Sequence, residues 1–312
     1  MAVRPATDLM GEWLDVLLAA LARARDVWLR PQVAGSALTL LLVTLVAVRV
    51  RFGAGGWRRL LTRSARTDAV YTAFYVGGFY AFFVSGPCYL ALGWLTDRYA
   101  PFLRLNLLGT LPPLLQFLIA SVAMDGVLYW THRWMHATPA LWAFHSVHHS
   151  SRELTPLANF RFHVGDVFLR GLTQFVPSLL LGVPTHVFVP LVWLQMALDG
   201  LAHSGLGWSY GPLEHVIVSP RFHRIHHSAD PADQRRNFGM TYSFWDRLFR
   251  TGRPDDQPPP AYGLAGEPIP ESFLRQLALP FLLLATTIRS PAMQQIDGPG
   301  ATPAGPRGGG AA

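Results

Sequence analysis

Four long apolar stretches dominate this sequence and limit its fold more than any other feature. Ala69 to Leu95 runs for twenty-seven residues without a charge. Val33 to Val50 carries only Arg49, near its end, and Leu105 to Tyr129 carries only Asp125, with Pro112-Pro113 interrupting it. Val167 to Ala202 is longer still and contains Pro177, Pro184 and Pro190. A helix needs about 20 apolar residues to cross a bilayer core. Val33 to Val50 just reaches that range. Ala69 to Leu95 exceeds it and must tilt or bend, with Gly77-Gly78 and Gly86-Pro87 as the places to do so. Val167 to Ala202 reads as two helices turning near Gly182-Val183-Pro184, a hairpin that enters and returns on one side. Leu277 to Ile288 falls short of a span.

Composition agrees. Only 14% of the residues are charged, against roughly 25% in soluble domains. The 26 basic residues are all arginine, and the net charge is +7. Beside apolar spans, that balance marks a cytoplasmic membrane face and not a nucleic-acid partner. Arg51, Arg58, Arg59, Arg63 and Arg66 follow the first span, whereas the next short loop has Arg98 and Arg104 offset by Asp97. The first loop is therefore assigned to the cytoplasm. Counting spans from there returns the chain to the cytoplasm after residue 130, and a hairpin over 167–202 keeps 203–250 on that side. Residues 1–32 carry Asp8, Glu12, Asp15 and Asp26 among apolar positions. A signal peptide would not tolerate them, and an amphipathic interfacial segment is expected. The main membrane unit is then 33–250. A connector with a short apolar helix follows over 251–288, and a Gly/Ala/Pro-rich, disordered tail over 289–312. Cys88 is the only cysteine, which excludes an intrachain disulfide and a thiolate metal site.

All twelve histidines lie between His132 and His227. His132 and His136 are four apart, which puts both imidazoles on one helix face about 6 Å apart along the axis. His145, His148 and His149 form H-x-x-H-H, and so do His223, His226 and His227. Positions i, i+3 and i+4 share a helix face, so each group offers three imidazoles to one point. Eight convergent rings exceed the needs of one four-coordinate zinc; two metals with open positions fit the count better. His203 closes the 185–202 segment and is a ninth candidate ligand. His163 could be a ligand or orient one, while His186 and His215 stand alone. Three acids are candidates to orient ligands: Asp125, two helical turns before His132; Asp199, four residues before His203; and Asp246 in Trp-Asp-Arg-Leu-Phe.

The three histidine groups and their flanks resemble the histidine boxes of the fatty acid hydroxylase and sterol desaturase superfamily. The flanks are Asp125 to His136 (DGVLYWTHRWMH), Trp142 to Ser151 (WAFHSVHHSS), and Arg224 to Asn237 with Phe238-Gly239 and Trp245-Asp246-Arg247. The likeness covers residues 120–250. It implies an all-α, multi-pass transmembrane bundle with a cytosolic histidine-rich cap holding a dimetal centre above a lipid-facing pocket. It also implies a monooxygenase, hydroxylase or desaturase that uses two irons, dioxygen and electrons from a reductase chain. By matching position, it makes His132, His136, His145, His148, His149, His203, His223, His226 and His227 the metal ligands. A further ligand of some members has no clear counterpart here, and Asp199 or His163 are the candidates. Imidazole suits zinc as well as iron, so recombinant protein could carry zinc. Iron is expected because an unactivated C–H bond needs a redox metal.

No histidine lies outside 132–227 to build a fused haem domain. The electron donor is therefore expected to be separate, of ferredoxin or cytochrome b5 type. Arg152, Arg161, Arg221, Arg235 and Arg236 form a basic surface that would either dock it or contact phospholipid headgroups. The alternative is a membrane metal-ion transporter or metal-binding protein, but transporters place their ligands near the bilayer midplane, not at helix ends. A paired-histidine haem protein would not need H-x-x-H-H twice, and a zinc hydrolase would show H-E-x-x-H, which is absent. The lipid substrate itself is not encoded in any motif.

Overall fold

The computed structural model describes residues 31–253, 257–266 and 269–287; the expected interfacial segment and tail lie outside them, apart from residues 31 and 32. Ten helices carry the architecture: α1 (Pro31–Phe52), α2 (Arg63–Val76), α3 (Gly86–Tyr99), α4 (Pro113–Ala137), α5 (Pro139–His149), α6 (Val164–Leu181), α7 (Thr185–Ala202), α8 (Pro220–His226), α9 (Phe244–Leu248) and α10 (Phe273–Thr287). No strand occurs among the described residues. Helices α4, α6 and α7 are long and apolar enough to cross a membrane. A fourth candidate is the broken pair Arg63–Val76 and Ala81–Tyr99, bent by 49°.

That bend falls where the glycines allow it. Gly78 adopts φ 70°, a conformation costly for any residue with a Cβ, and a π-helical turn over Ala81–Ser85 precedes α3. The turn predicted near Gly182-Val183-Pro184 also forms. Gly182 caps α6 in the left-handed region at φ 67°, and Pro184 caps the start of α7. The third stretch differs from its expected bounds. Helix α4 begins at Pro113, because Pro112 and Pro113 cannot continue a helix from upstream, and it ends only at Ala137. His132 and His136 thus belong to the same helix as the apolar span.

Helix α4 is built inside out relative to a water-soluble helix. Its buried face follows a helical period and includes Gln116, Ser121, Asp125, Thr131 and His132. Its exposed face carries Leu114, Leu115, Leu118, Ile119 and Val122. Burying polar groups while exposing aliphatic ones is favourable only where the surroundings are themselves apolar. Helix α4 packs on α5, α6 and α7, and α6 also packs on α3. One apolar core gathers Tyr71, Tyr80, Val147, Phe162 and Val167; another joins Met124, Val187 and Leu191.

Arg161 does not belong to the expected basic surface. It is fully buried, and its guanidinium donates to Asp68 at 2.5 Å, to the Ser64 carbonyl at 2.6 Å and to Ser150 Oγ at 2.9 Å. A charge stripped of water needs such partners, so Arg161 ties α2 to the loop after α5. Arg221 is half-buried and pairs with Glu214. Arg152, Arg235 and Arg236 remain exposed.

Candidate metal centre

Four short pieces of helix end deliver histidines to one place: the last turn of α4, the C-terminal turn of α5, the cap of α7 and the whole of α8. All nine expected histidines meet there. The ligand atoms of His132, His136, His145, His149 and His226 lie within 4.8 Å of one another, and so do those of His148, His203 and His227. His223 joins the second group, with its Nε2 at 3.2 Å from His203 Nε2 and 3.1 Å from His227 Nε2. Except for His136, the nine rings are at most 4% exposed.

The hydrogen bonds fix several tautomers. Nδ1 of His132 donates to the Phe238 carbonyl at 2.8 Å, Nδ1 of His226 to the Arg236 carbonyl at 2.7 Å, and Nδ1 of His203 to the Asp199 carbonyl at 2.7 Å. A carbonyl only accepts, so each Nδ1 holds the proton and each Nε2 of these neutral rings is a bare lone pair. Yet His132 Nε2 and His226 Nε2 face each other at 3.0 Å. No proton lies between them to make that contact attractive. A cation shared by the two lone pairs would. In addition, Nε2 of His136, His145 and His149 is buried with no hydrogen-bond partner among the described residues. Such orphaned imidazole nitrogens are what a metal ion satisfies, so this donor set fits a pair of metals with nitrogen ligands.

Aromatic rings wall the cluster. Phe238 lies edge-on to His132 and His226, both at 5.7 Å between ring centres, and Trp142 lies 4.9 Å from His136. Phe162 stacks on His148 at 4.6 Å. That shell keeps water out and holds the rings neutral. Burial drives His203 and His226 down to about 3 from the usual 6.5, and His148, His149, His223 and His227 well below it for the same reason.

A pH dependence follows for the metal-free protein. The unfolded chain takes up protons below about 6.5, whereas the folded cluster resists them down to about 3. The stability these rings contribute is therefore complete above 6.5 and falls steadily as the pH drops through that window. Thermal unfolding of metal-free protein should shift to lower temperature from about pH 6.5 downward; a flat profile would contradict the buried neutral cluster.

The expected orienting acids act differently from the sequence reading. Asp125 does not reach His132; it accepts from the backbone N–H of Thr241 at 2.8 Å and Tyr242 at 3.1 Å, pinning the loop before α9. Asp246 accepts from the N–H of Phe238 and Gly239 at 2.8 and 2.7 Å and from Thr251 Oγ1 at 2.6 Å, so it holds the peptide whose carbonyl orients His132. Asp199 reaches His203 through its carbonyl, while its carboxylate lies 3.6 Å from Arg170. His163 stands apart from the cluster. Its Nδ1 accepts from Gly165 N–H at the start of α6, and its Nε2 donates to the Leu277 carbonyl, which leaves no lone pair for a metal. His186 and His215 are exposed.

One acid escaped the sequence reading. Asp166 is fully buried and takes the Nδ1 proton of His145 at 2.7 Å. Its signal was an acid in the first turn of an apolar helix, three residues after His163.

Fold and site together define a helical protein with spans suited to a membrane and a buried polyhistidine centre of metal-binding geometry. Residues 117–251 match the fatty acid hydroxylase family. An ornithine lipid hydroxylase of Rhizobium tropici is 33% identical over 54% of this chain and 51% of its own length. An alkylglycerol monooxygenase of Danio rerio is 32% identical over 44% of this chain and 30% of its own. A Delta(7)-sterol 5(6)-desaturase of Candida dubliniensis is 30% identical over 42% and 33% respectively. The chain thus spans about half or less of these relatives. No solved structure matches it.

Proposed function

We propose that this chain is an integral-membrane di-iron oxygenase that hydroxylates, or desaturates, a lipid-like substrate. The observation that carries the reading is the pair of lone pairs facing each other at His132 and His226, set within nine converging imidazoles. Nine are more than one four-coordinate ion uses. In this reading one iron is held by His132, His136, His145, His149 and His226, and the other by His148, His203, His223 and His227. Imidazole alone does not choose between iron and zinc. The relatives' names all describe redox chemistry, and three of them name lipids or sterols, which favours iron and a lipid.

Iron, when bound, supplies the redox chemistry by which dioxygen cleaves an aliphatic C–H bond. In a hydroxylation one oxygen atom enters that bond and the other leaves as water, with two electrons drawn from a carrier and two protons from solvent. This chain's residues do the remaining work. The carbonyls of Phe238, Arg236 and Asp199 and the carboxylate of Asp166 hold Nε2 of four ligands toward the metals. Phe162, stacked on His148, also lines a cavity between α3, α6 and α7 that would receive the substrate. The histidine boxes face the cytoplasm, as the arginine distribution suggests, and residues 33–250 form the catalytic unit. A ferredoxin or cytochrome b5 type donor would dock on exposed Arg152, Arg235 and Arg236.

The test is turnover. Iron-loaded protein in lipid nanodiscs, given a reductase chain and labelled dioxygen, is expected to yield a lipid product with one labelled oxygen atom, or one short of two hydrogens. No oxidised lipid from iron-replete, reduced protein across acyl, ether and sterol substrates would overturn the assignment. A metal transporter would instead move metal into sealed vesicles.

A further inference from the structure

The cavity beside the centre has a volume of about 320 Å³. Two contacts place it against the metal-binding histidines: Phe162 stacks on His148, and the Asp199 carbonyl takes the His203 proton, with both residues in the cavity wall. A pocket for bare hydrocarbon would be apolar throughout, and this one is not. Gln195 is 6% exposed, and among the described residues neither its Nε2 nor its Oε1 has a hydrogen-bond partner. Asn159, 3% exposed, leaves its Oδ1 equally unpartnered among them. Both line the cavity. Buried polar groups almost always find partners, and those that do not in the empty protein point to a ligand.

The unmet groups also define the ligand's chemistry. Gln195 lacks both an acceptor for its N–H and a donor for its oxygen, and Asn159 lacks a donor. An ester or ether would satisfy only the amide N–H. Charge is already balanced in the wall, where Arg170 lies 3.6 Å from Asp199, so a lone carboxylate or ammonium is not called for. We propose that the cavity holds its lipid by a neutral group that both donates and accepts hydrogen bonds, a hydroxyl or a secondary amide, bound by Gln195 and Asn159 beside His148 and His203. This deepens the oxygenase reading and rests on it for naming the cavity the substrate site. It restricts the substrate to lipids with such a group near the reacting carbon. It also makes Gln195 a specificity residue that selects by polarity and not by chain length.

The test is equilibrium binding to the full-length, metal-loaded protein in detergent, with four probes of equal chain length: 1-hexadecanol, N-methylhexadecanamide, methyl hexadecanoate and hexadecane. The alcohol or the amide should bind about tenfold tighter than the ester and the alkane, and whichever of the two binds tighter identifies the group. Gln195→Met is close in size and breaks no hydrogen bond within the protein. It should bring the four affinities to within about twofold of one another without weakening hexadecane. Asn159→Leu tests the same preference independently if the first variant unfolds. Equal affinity for all four probes in the unaltered protein, or a preference surviving both substitutions, would overturn the proposal. Turnover is read separately. Selective binding without any oxidised product would sink the oxygenase reading alone, and oxidation without selectivity would sink only this one.

Discussion

Replacing His148 and His226 together with alanine is expected to strip metal from iron-supplemented protein while leaving the helices in place. Each substitution strikes one group. His226 supplies one of the two lone pairs that face each other at 3.0 Å, and His148 Nε2 lies 3.2 Å from His203 Nε2 in the other group. Neither ring holds a helix together. His226 closes the seven-residue α8, and His148 sits in the last turn of α5. Metal analysis beside circular dichroism reads the result. Iron in the unaltered protein, near-complete loss in the double variant and an unchanged helical spectrum support the centre. Retention of metal in the variant would mean that the ions bind elsewhere on the chain.

The second large effect is expected at Asp166. Among the described residues its carboxylate is the only hydrogen-bond partner of His145 Nδ1, and both groups are buried. Asp166→Ala would free the ring to rotate and to shift its proton to Nε2, the atom aimed at the cluster. Loss of a carboxylate that orients a metal-binding histidine costs about 10–100-fold in metal affinity or activity. Iron affinity measured by competition with a chelator should fall by that factor, and Asp166→Asn, which keeps an acceptor, should recover part of it. Unchanged affinity in Asp166→Ala would show that packing alone holds His145.

The sequence carried the helical class, the hairpin turn at Gly182 and all nine converging histidines, because each rests on a local rule. Apolar length marks a span, a glycine marks a left-handed turn, and spacing of three and four marks a helix face. The acids were harder to read. Asp125 lies two turns from His132 along α4, and helical geometry alone suggests that the two meet. In the fold, the loop holding Thr241 and Tyr242 comes between, and its amides take the carboxylate. Asp166 was invisible for the converse reason. It is 21 residues from His145, and only the packing of α6 against α5 brings them together. Arg161 stands among polar and aromatic residues whose letters suggest a surface, but its partner Asp68 is 93 positions away. Local spacing cannot report a contact that only the assembled fold creates.

Within the centre, three of the four histidines with an assigned proton owe it to a main-chain oxygen, at Phe238, Arg236 and Asp199. A peptide carbonyl is the same group whatever side chain it carries. The tautomers of His132 and His226 therefore depend on the path of the chain through residues 236 and 238 and not on which side chains stand there. Replacing Arg236 or Phe238 would leave both protons in place, whatever it does to the donor surface or the aromatic wall, whereas inserting or deleting one residue between 227 and 246 would turn the two oxygens away and release those protons. Tautomers that tolerate substitution but not a change of loop length are the behaviour to look for in any attempt to redesign this protein.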